Sequence, residues 1–145
     1  METLNYEVLK KSGYNGYIKE SAPEKVMQFG EGNFLRAFVD YFFDCANEKA
    51  DWNGKVVLVQ PIAQGLTKLI NDQEGLYTLY LRGSEKGEKV DLKRVISSVS
   101  RCINPYDDFD AVLELAKSDD LEYIVSNTTE AGIVFDETDN DPNAR

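Results

Sequence analysis

The sequence predicts an α/β domain built on a doubly wound, mostly parallel sheet, with a β-rich insertion in its middle. Three observations carry that expectation. The runs Val26-Met27-Gln28-Phe29 and Val56-Val57-Leu58-Val59 are apolar with little or no alternation, as strands covered on both faces are. A stretch with helical periodicity over 33–49 lies between them. A third buried-type run, Tyr123-Ile124-Val125, follows a further helical stretch, so strand, helix and strand recur along the chain.

The elements follow in order. Residues 1–24 are polar and read as an arm, with turn signals at Ser12-Gly13 and Asn15-Gly16 and one short helix over 6–11. A strand then ends on Gly30. In the helix over 33–49, Phe34, Phe38, Tyr41, Phe42 and Cys45 recur at spacings of three and four, and this face is expected to pack on the sheet. Asp51-Trp52-Asn53-Gly54 is a turn, 55–60 a buried strand, and 63–72 a weaker helix. Strands over 77–81 and 94–103, with a charged turn at 83–87, form the expected β insertion. A helix over 106–117 with Phe109, Val112, Leu113 and Ala116 on one side leads into a strand over 121–126. Beyond Ile133-Val134-Phe135 the chain turns acidic and carries no further recognisable element.

Composition narrows the function. A chain of 145 residues fits one domain. Its net charge of −10 argues against nucleic acid, whose phosphates need a basic face. No apolar run approaches the roughly 20 residues of a membrane-spanning helix, and the first residues lack the pattern of a secretory signal, so a cytoplasmic location is expected. Cys45 and Cys102 lie far apart without metal-ligand spacing and are expected to be reduced and buried. There is no histidine, which removes the commonest general base and the commonest metal ligand. Acid–base chemistry would fall to carboxylates, lysine or tyrosine.

The chemistry gathers at Gly30-Glu31-Gly32. A buried strand, a tight glycine turn and a helix make a phosphate site, because the first helical amides lack internal partners and the helix dipole favours an anion. Gly30 permits the sharp turn, and Gly32 lets a pyrophosphate approach the backbone. The match to G-x-G-x-x-G is partial, since Leu35 stands where the third glycine would be and Gln60 where an acid would end the second strand. Glu31 is expected to point outward. Arg36 offers a charge for phosphate, or is a solvated surface arginine. Gln60 supplies neither the carboxylate that holds ribose hydroxyls nor an arginine for a 2′-phosphate, so these residues alone leave NAD against NADP open.

With Gly30-Glu31-Gly32-Asn33-Phe34-Leu35-Arg36-Ala37-Phe38 in view, the sequence resembles the mannitol dehydrogenase family of polyol-specific long-chain dehydrogenases. Asp72-Gln73-Glu74-Gly75-Leu76-Tyr77-Thr78 and Ser126-Asn127-Thr128-Thr129-Glu130-Ala131-Gly132 resemble two further family segments, in the right order. Val59-Gln60-Pro61 and the 126–132 segment resemble most the branch acting on sugar acids. The resemblance covers about 26–135. It implies a Rossmann-like domain over 25–145 that binds NAD, hydride transfer to or from a sugar acid, and a mainly helical second domain, absent here, that supplies the catalytic lysine, asparagine and histidine. It therefore implies no catalytic residue in this chain. The cofactor contacts it implies, joined to the turn, are Phe29, Gly30, Gly32, Asn33, Phe34, Arg36, Gln60, Asn127, Thr128, Thr129 and Glu130. The last four are placed near the nicotinamide ribose; Thr128 and Thr129 as mere turn caps are the structural alternative. Fructuronate or mannitol as substrate, or a non-catalytic nucleotide-binding or interaction module, are the competing readings.

Overall fold

The structure, a computed structural model, describes residues 3–128 and Ile133. Four strands form a parallel sheet in the order β5-β2-β1-β6, where β1 is Glu24–Phe29, β2 Lys55–Val59, β5 Val99–Ile103 and β6 Tyr123–Ser126. β1 is central. Val26, Met27, Gln28 and Phe29 pair with Val56 to Val59 on one side and with Tyr123 to Ser126 on the other. Because every neighbour is parallel, each connection must cross over, and the crossovers cover both faces. α2 (Asn33–Ala50) and α3 (Thr67–Asp72) share a core with Val26, Val56, Leu58, Val99 and Cys102, whereas α4 (Phe109–Ala116) packs Val112 and Leu115 against Met27, Val57, Val59 and Ile103. Successive residues of β1 and β2 thus feed opposite cores, which is why both strands read as continuous apolar runs.

Counted among the parallel strands alone, the order is 3-2-1-4, the first part of a doubly wound Rossmann-like sheet. The middle insertion is an antiparallel hairpin of β3 (Tyr77–Glu85) and β4 (Glu88–Ile96), closed by Lys86-Gly87 with positive φ at both residues, the twist that a two-residue hairpin favours. The arm is docked: α1 (Tyr6–Lys11), capped by the Asn5 side chain on the Val8 amide, places Leu9 in a small core with Leu76 and Val95. Among the described residues no helix is long and apolar enough to cross a membrane, and no cluster of His, Cys, Asp or Glu could hold a metal ion.

Three expectations need correction. The aromatic face of α2 does not pack on the sheet: Phe34, Phe38 and Phe42 are 62%, 51% and 55% exposed and form an outer row with ring centroids 5.7 and 5.0 Å apart. The sheet side of α2 carries buried Leu35, Asp40, Asp44 and Asn47 with half-buried Phe43. That side is polar because its groups are spoken for. Asn47 exchanges two hydrogen bonds with the Gly54 backbone, and Asp44 accepts from the Ser97 amide and hydroxyl and from Arg94. Second, 94–103 is not one strand: β4 ends at Ile96, and buried Ser97 and Ser98 carry the chain from the hairpin into β5 of the other sheet. Third, among the described residues β6 lies at the edge of the sheet with Tyr123 and Ile124 exposed, despite its apolar sequence. Cys102 is buried and Cys45 half-buried, both as free thiols.

Candidate functional site

Parallel strands all finish on the same edge, so Phe29, Gln60, Asn104 and Asn127, which end or follow β1, β2, β5 and β6, converge there. The glycine turn sits at the centre of that edge. Gly30 has φ +116°, a conformation L side chains rarely adopt, and its amide donates to Val59 O at 2.9 Å, binding the turn to the end of β2. Gly32 is the N-cap of α2 in extended backbone, with no side-chain cap and no acid in the first helical turn. A Cβ built at Gly32 would meet nothing within 4 Å, so the approach to the unpaired helix amides is open. With no acid in the first helical turn, nothing on the helix offsets the positive end of its dipole, which favours an anion.

Two clefts meet at Gln60 on this edge. An apolar one of about 410 Å³ is lined by Phe29, Val59, Gln60 and Pro61 from the ends of β1 and β2 and by Pro105, Tyr106, Phe109 and Val112 around the start of α4. A polar one of about 380 Å³ lies beside it across Gln60 and includes Gln64, Gly65, Thr67 and Lys68. On the other side of the turn, Asn33, Arg36 and Tyr77 border a groove of about 240 Å³ between α2 and β3.

The sequence-derived residues fall into groups. Phe29, Gly30, Gly32, Asn33, Gln60, Asn127 and Thr128 gather on this edge; Ser126 pairs with Phe29, so Asn127 and Thr128 leave β6 beside Gly30. Phe34 belongs instead to the outer aromatic row of α2. Arg36 is tethered: its Nη2 donates to Asn33 Oδ1 at 2.7 Å, its guanidinium lies 5.2 Å from the Tyr77 ring centre, and Tyr77 Oη donates to Arg36 O at 2.6 Å. Burial pushes the Tyr77 hydroxyl far above the ordinary range, so it serves as a donor. The Gln60 side chain is also engaged, its Oε1 accepting from the Thr67 amide and hydroxyl and its Nε2 donating to Ile62 O. Thr129 and Glu130 lie outside the described residues.

Beneath the turn, Gln28 Nε2 donates to Gly30 O at 3.1 Å and to Asp40 Oδ2 at 3.4 Å, which anchors the turn from below. Asp40 Oδ1 and Gln28 Oε1 are buried without a hydrogen-bond partner among the described residues. Burial pushes the Asp40 carboxyl up to about 7, against the opposing pull of Gln28 and of the Arg36 charge.

Glu31 departs from expectation. It is only 8% exposed and turned inward, where its Oε1 and Gln60 Oε1 fill the space that a side chain at Gly65 would need. The apolar wall of Pro105, Tyr106 and Phe109 also escaped the sequence reading. Its signal is the end of a parallel strand at Ile103, concealed by the assignment of 94–103 to the β insertion rather than to the parallel sheet.

Comparison with known proteins agrees with the fold. The family profile of the mannitol dehydrogenase Rossmann domain matches residues 24–144. An altronate oxidoreductase of Bacillus subtilis is 50% identical over 131 residues, 90% of this chain and 27% of the relative, and one of Bacteroides thetaiotaomicron is 48% identical over 83% of this chain and 25% of the relative. The chain thus spans about a quarter of the length of these relatives. Among solved structures, a Pseudomonas fluorescens mannitol 2-dehydrogenase in ternary complex with NAD and D-mannitol superimposes with a TM-score of 0.68 at 20% identity, over 86% of this chain and 26% of that one. A D-sorbitol dehydrogenase superimposes with a TM-score of 0.65 at 22% identity over 83% of this chain and 25% of that one. These two likenesses concern the fold.

Proposed function

From the premise that this chain belongs to the mannitol dehydrogenase family through its Rossmann domain, we propose that it is the NAD-binding part of an oxidoreductase that moves hydride between NAD(H) and a sugar acid, interconverting D-tagaturonate and D-altronate. The observation that carries the reading is the glycine turn: an uncapped helix N-terminus, clear of side chains at Gly32, beside an apolar cleft of about 410 Å³. The relatives named altronate oxidoreductase, at 43–50% identity, support the sugar acid over a polyol.

Each residue then has a part. The amides from Gly32 onward receive the pyrophosphate, and Asn33 with Arg36 borders it. Phe29, Tyr106 and Phe109 line the cleft for the adenine, with Gln60 at its rim. Asn127 and Thr128, with Thr129 and Glu130, stand toward the nicotinamide ribose, and Phe34 shields the outer side of the turn. The nicotinamide, when bound, supplies the hydride acceptor. No group of this chain is assigned to take the substrate hydroxyl proton, and the chain alone is expected not to oxidise altronate.

NADH titration followed by amide resonances tests the cofactor claim. Saturable shifts centred on Gly30, Gly32 and Asn33 are expected. If those resonances stay put at millimolar NADH, the chain is no dinucleotide domain and the interaction-module reading takes over.

A further inference from the structure

We propose that Glu31 replaces the carboxylate that dinucleotide folds otherwise carry at the end of the second strand, so that it holds the adenosine ribose hydroxyls and excludes a 2′-phosphate. The proposal deepens the NAD reading above and rests on it.

Four observations lead there. Gly30, at φ +116°, swings the chain so that the next side chain folds back over the strand ends, and Glu31 comes to rest with its Oε1 beside Gln60 Oε1, in the space left by Gly65. A carboxylate from the turn therefore arrives where a carboxylate from β2 would stand. Second, although Glu31 is more than nine-tenths buried, its carboxylate has no hydrogen bond or ion pair among the described residues. Its two oxygens are not among the fully enclosed polar atoms, so they keep an opening toward the site, and a vicinal diol offers two hydroxyl donors to them. Third, Gln60 is the wrong group for that task, since its Oε1 already accepts twice from Thr67. Fourth, Gln60 also lines the apolar cleft proposed for the adenine, so a base seated there brings its ribose to this corner.

The same corner disfavours a 2′-phosphate. Arg36, the arginine nearest the turn, is tied to Asn33 and Tyr77 on its far side, and Lys68 of the neighbouring polar cleft points into solvent beside Asp72, its side chain 86% exposed. A dianionic phosphate would meet the Glu31 carboxylate with no arginine positioned to offset it.

The test is a set of titrations on the 145-residue chain, with NADH, NADPH, ADP and nicotinamide mononucleotide, in the wild type, Glu31→Gln and Gly65→Ala. Glu31→Gln keeps the shape and removes the charge. It should weaken NADH and ADP about tenfold, the scale of a lost charge-assisted pair of hydrogen bonds, and leave nicotinamide mononucleotide unchanged. The wild-type preference for NADH over NADPH should shrink toward one. Gly65→Ala leaves the turn intact but fills the space Glu31 occupies, and should shrink the same ratio. Thermal unfolding of each variant reports whether it is folded. An unchanged NADH to NADPH ratio in a folded Glu31→Gln, or no wild-type preference at all, overturns the role of Glu31 while the NAD reading stands. Failure of the wild type to bind either nucleotide overturns both.

Discussion

Removing the Asp44 carboxylate should cost this fold about 3 kcal/mol. Asp44 is fully buried on the sheet side of α2, where its Oδ1 accepts from the Ser97 amide at 2.8 Å and hydroxyl at 3.1 Å and its Oδ2 accepts from Arg94 Nε at 2.8 Å and from Nη2. One side chain thus holds α2 to the point where the hairpin hands over to β5. Breaking a buried pair by deleting one partner costs about 3–5 kcal/mol, because the other is left desolvated and unpaired. Arg94 keeps Glu48 at 2.7 Å and is itself 19% exposed, which places Asp44→Ala near the lower end. At about 2–4 °C per kcal/mol for a domain near this size, the midpoint of thermal unfolding should fall by about 10 °C. Urea denaturation measures the free energy directly. A double-mutant cycle with Arg94→Met isolates the pair, and a favourable coupling of about 2 kcal/mol is expected. A loss below about 1 kcal/mol for Asp44→Ala, or strict additivity in the cycle, would refute the idea that this contact clamps helix to hairpin.

Other expectations follow from the floor and lip of the glycine turn. Burial raises the Asp40 carboxyl from its ordinary 3.8 to about 7, so between those values the folded chain holds a proton that the unfolded chain releases. Its stabilisation is complete below the unfolded value and is lost as pH rises through about 7. Asp40→Asn presents an amide donor at all pH values, and should gain stability relative to wild type as urea curves are repeated from about pH 4 to pH 8; a constant difference between the two proteins would rule this out. At the turn, Gly32→Ala meets no neighbour and should leave thermal unfolding nearly unchanged while lowering NADH affinity about tenfold or more, because the methyl stands in the pyrophosphate approach. Gly30→Ala is the converse, costing about 1–2 kcal/mol of stability from its positive φ and a 3.2 Å contact with Leu35 Cδ1. Equal destabilisation by the two variants would count against the division of labour drawn between these glycines.

What the sequence discloses is what local chemistry decides. β1 and β2 could be read because each residue is buried on one face or the other, and the turn because it needs only a strand, two glycines and a helix start. The orientation of α2 could not. Its most hydrophobic stripe looks outward, and its buried stripe is Asp40, Asp44 and Asn47, whose partners Gln28, Ser97, Arg94 and Gly54 come from other elements. Hydrophobic periodicity is blind to polar groups satisfied at long range. The boundary between β4 and β5 was masked in the same way, since the bend at Ser97 and Ser98 depends on Asp44 Oδ1 and the Asp40 carbonyl. The direction of Glu31 depends on the bare Gly65, a residue with no local tie to the turn.

The central position of β1 has a consequence for how the chain comes to be folded. Its first neighbour is made only after all of α2, and Val26 waits for Tyr123, near the opposite end of the described chain, before its second edge is paired. The hairpin of β3 and β4, closed by Lys86-Gly87, needs no such wait, since local ribbons close within about 1–10 μs. During synthesis at about 5–20 residues per second, one edge of the strand that leads into the glycine turn therefore stays bare for several seconds, while the rest of the sheet is already assembling beside it. The strand that ends in the glycine turn is begun first and finished last, and during this interval its bare edge is open to pairing with another copy of the chain.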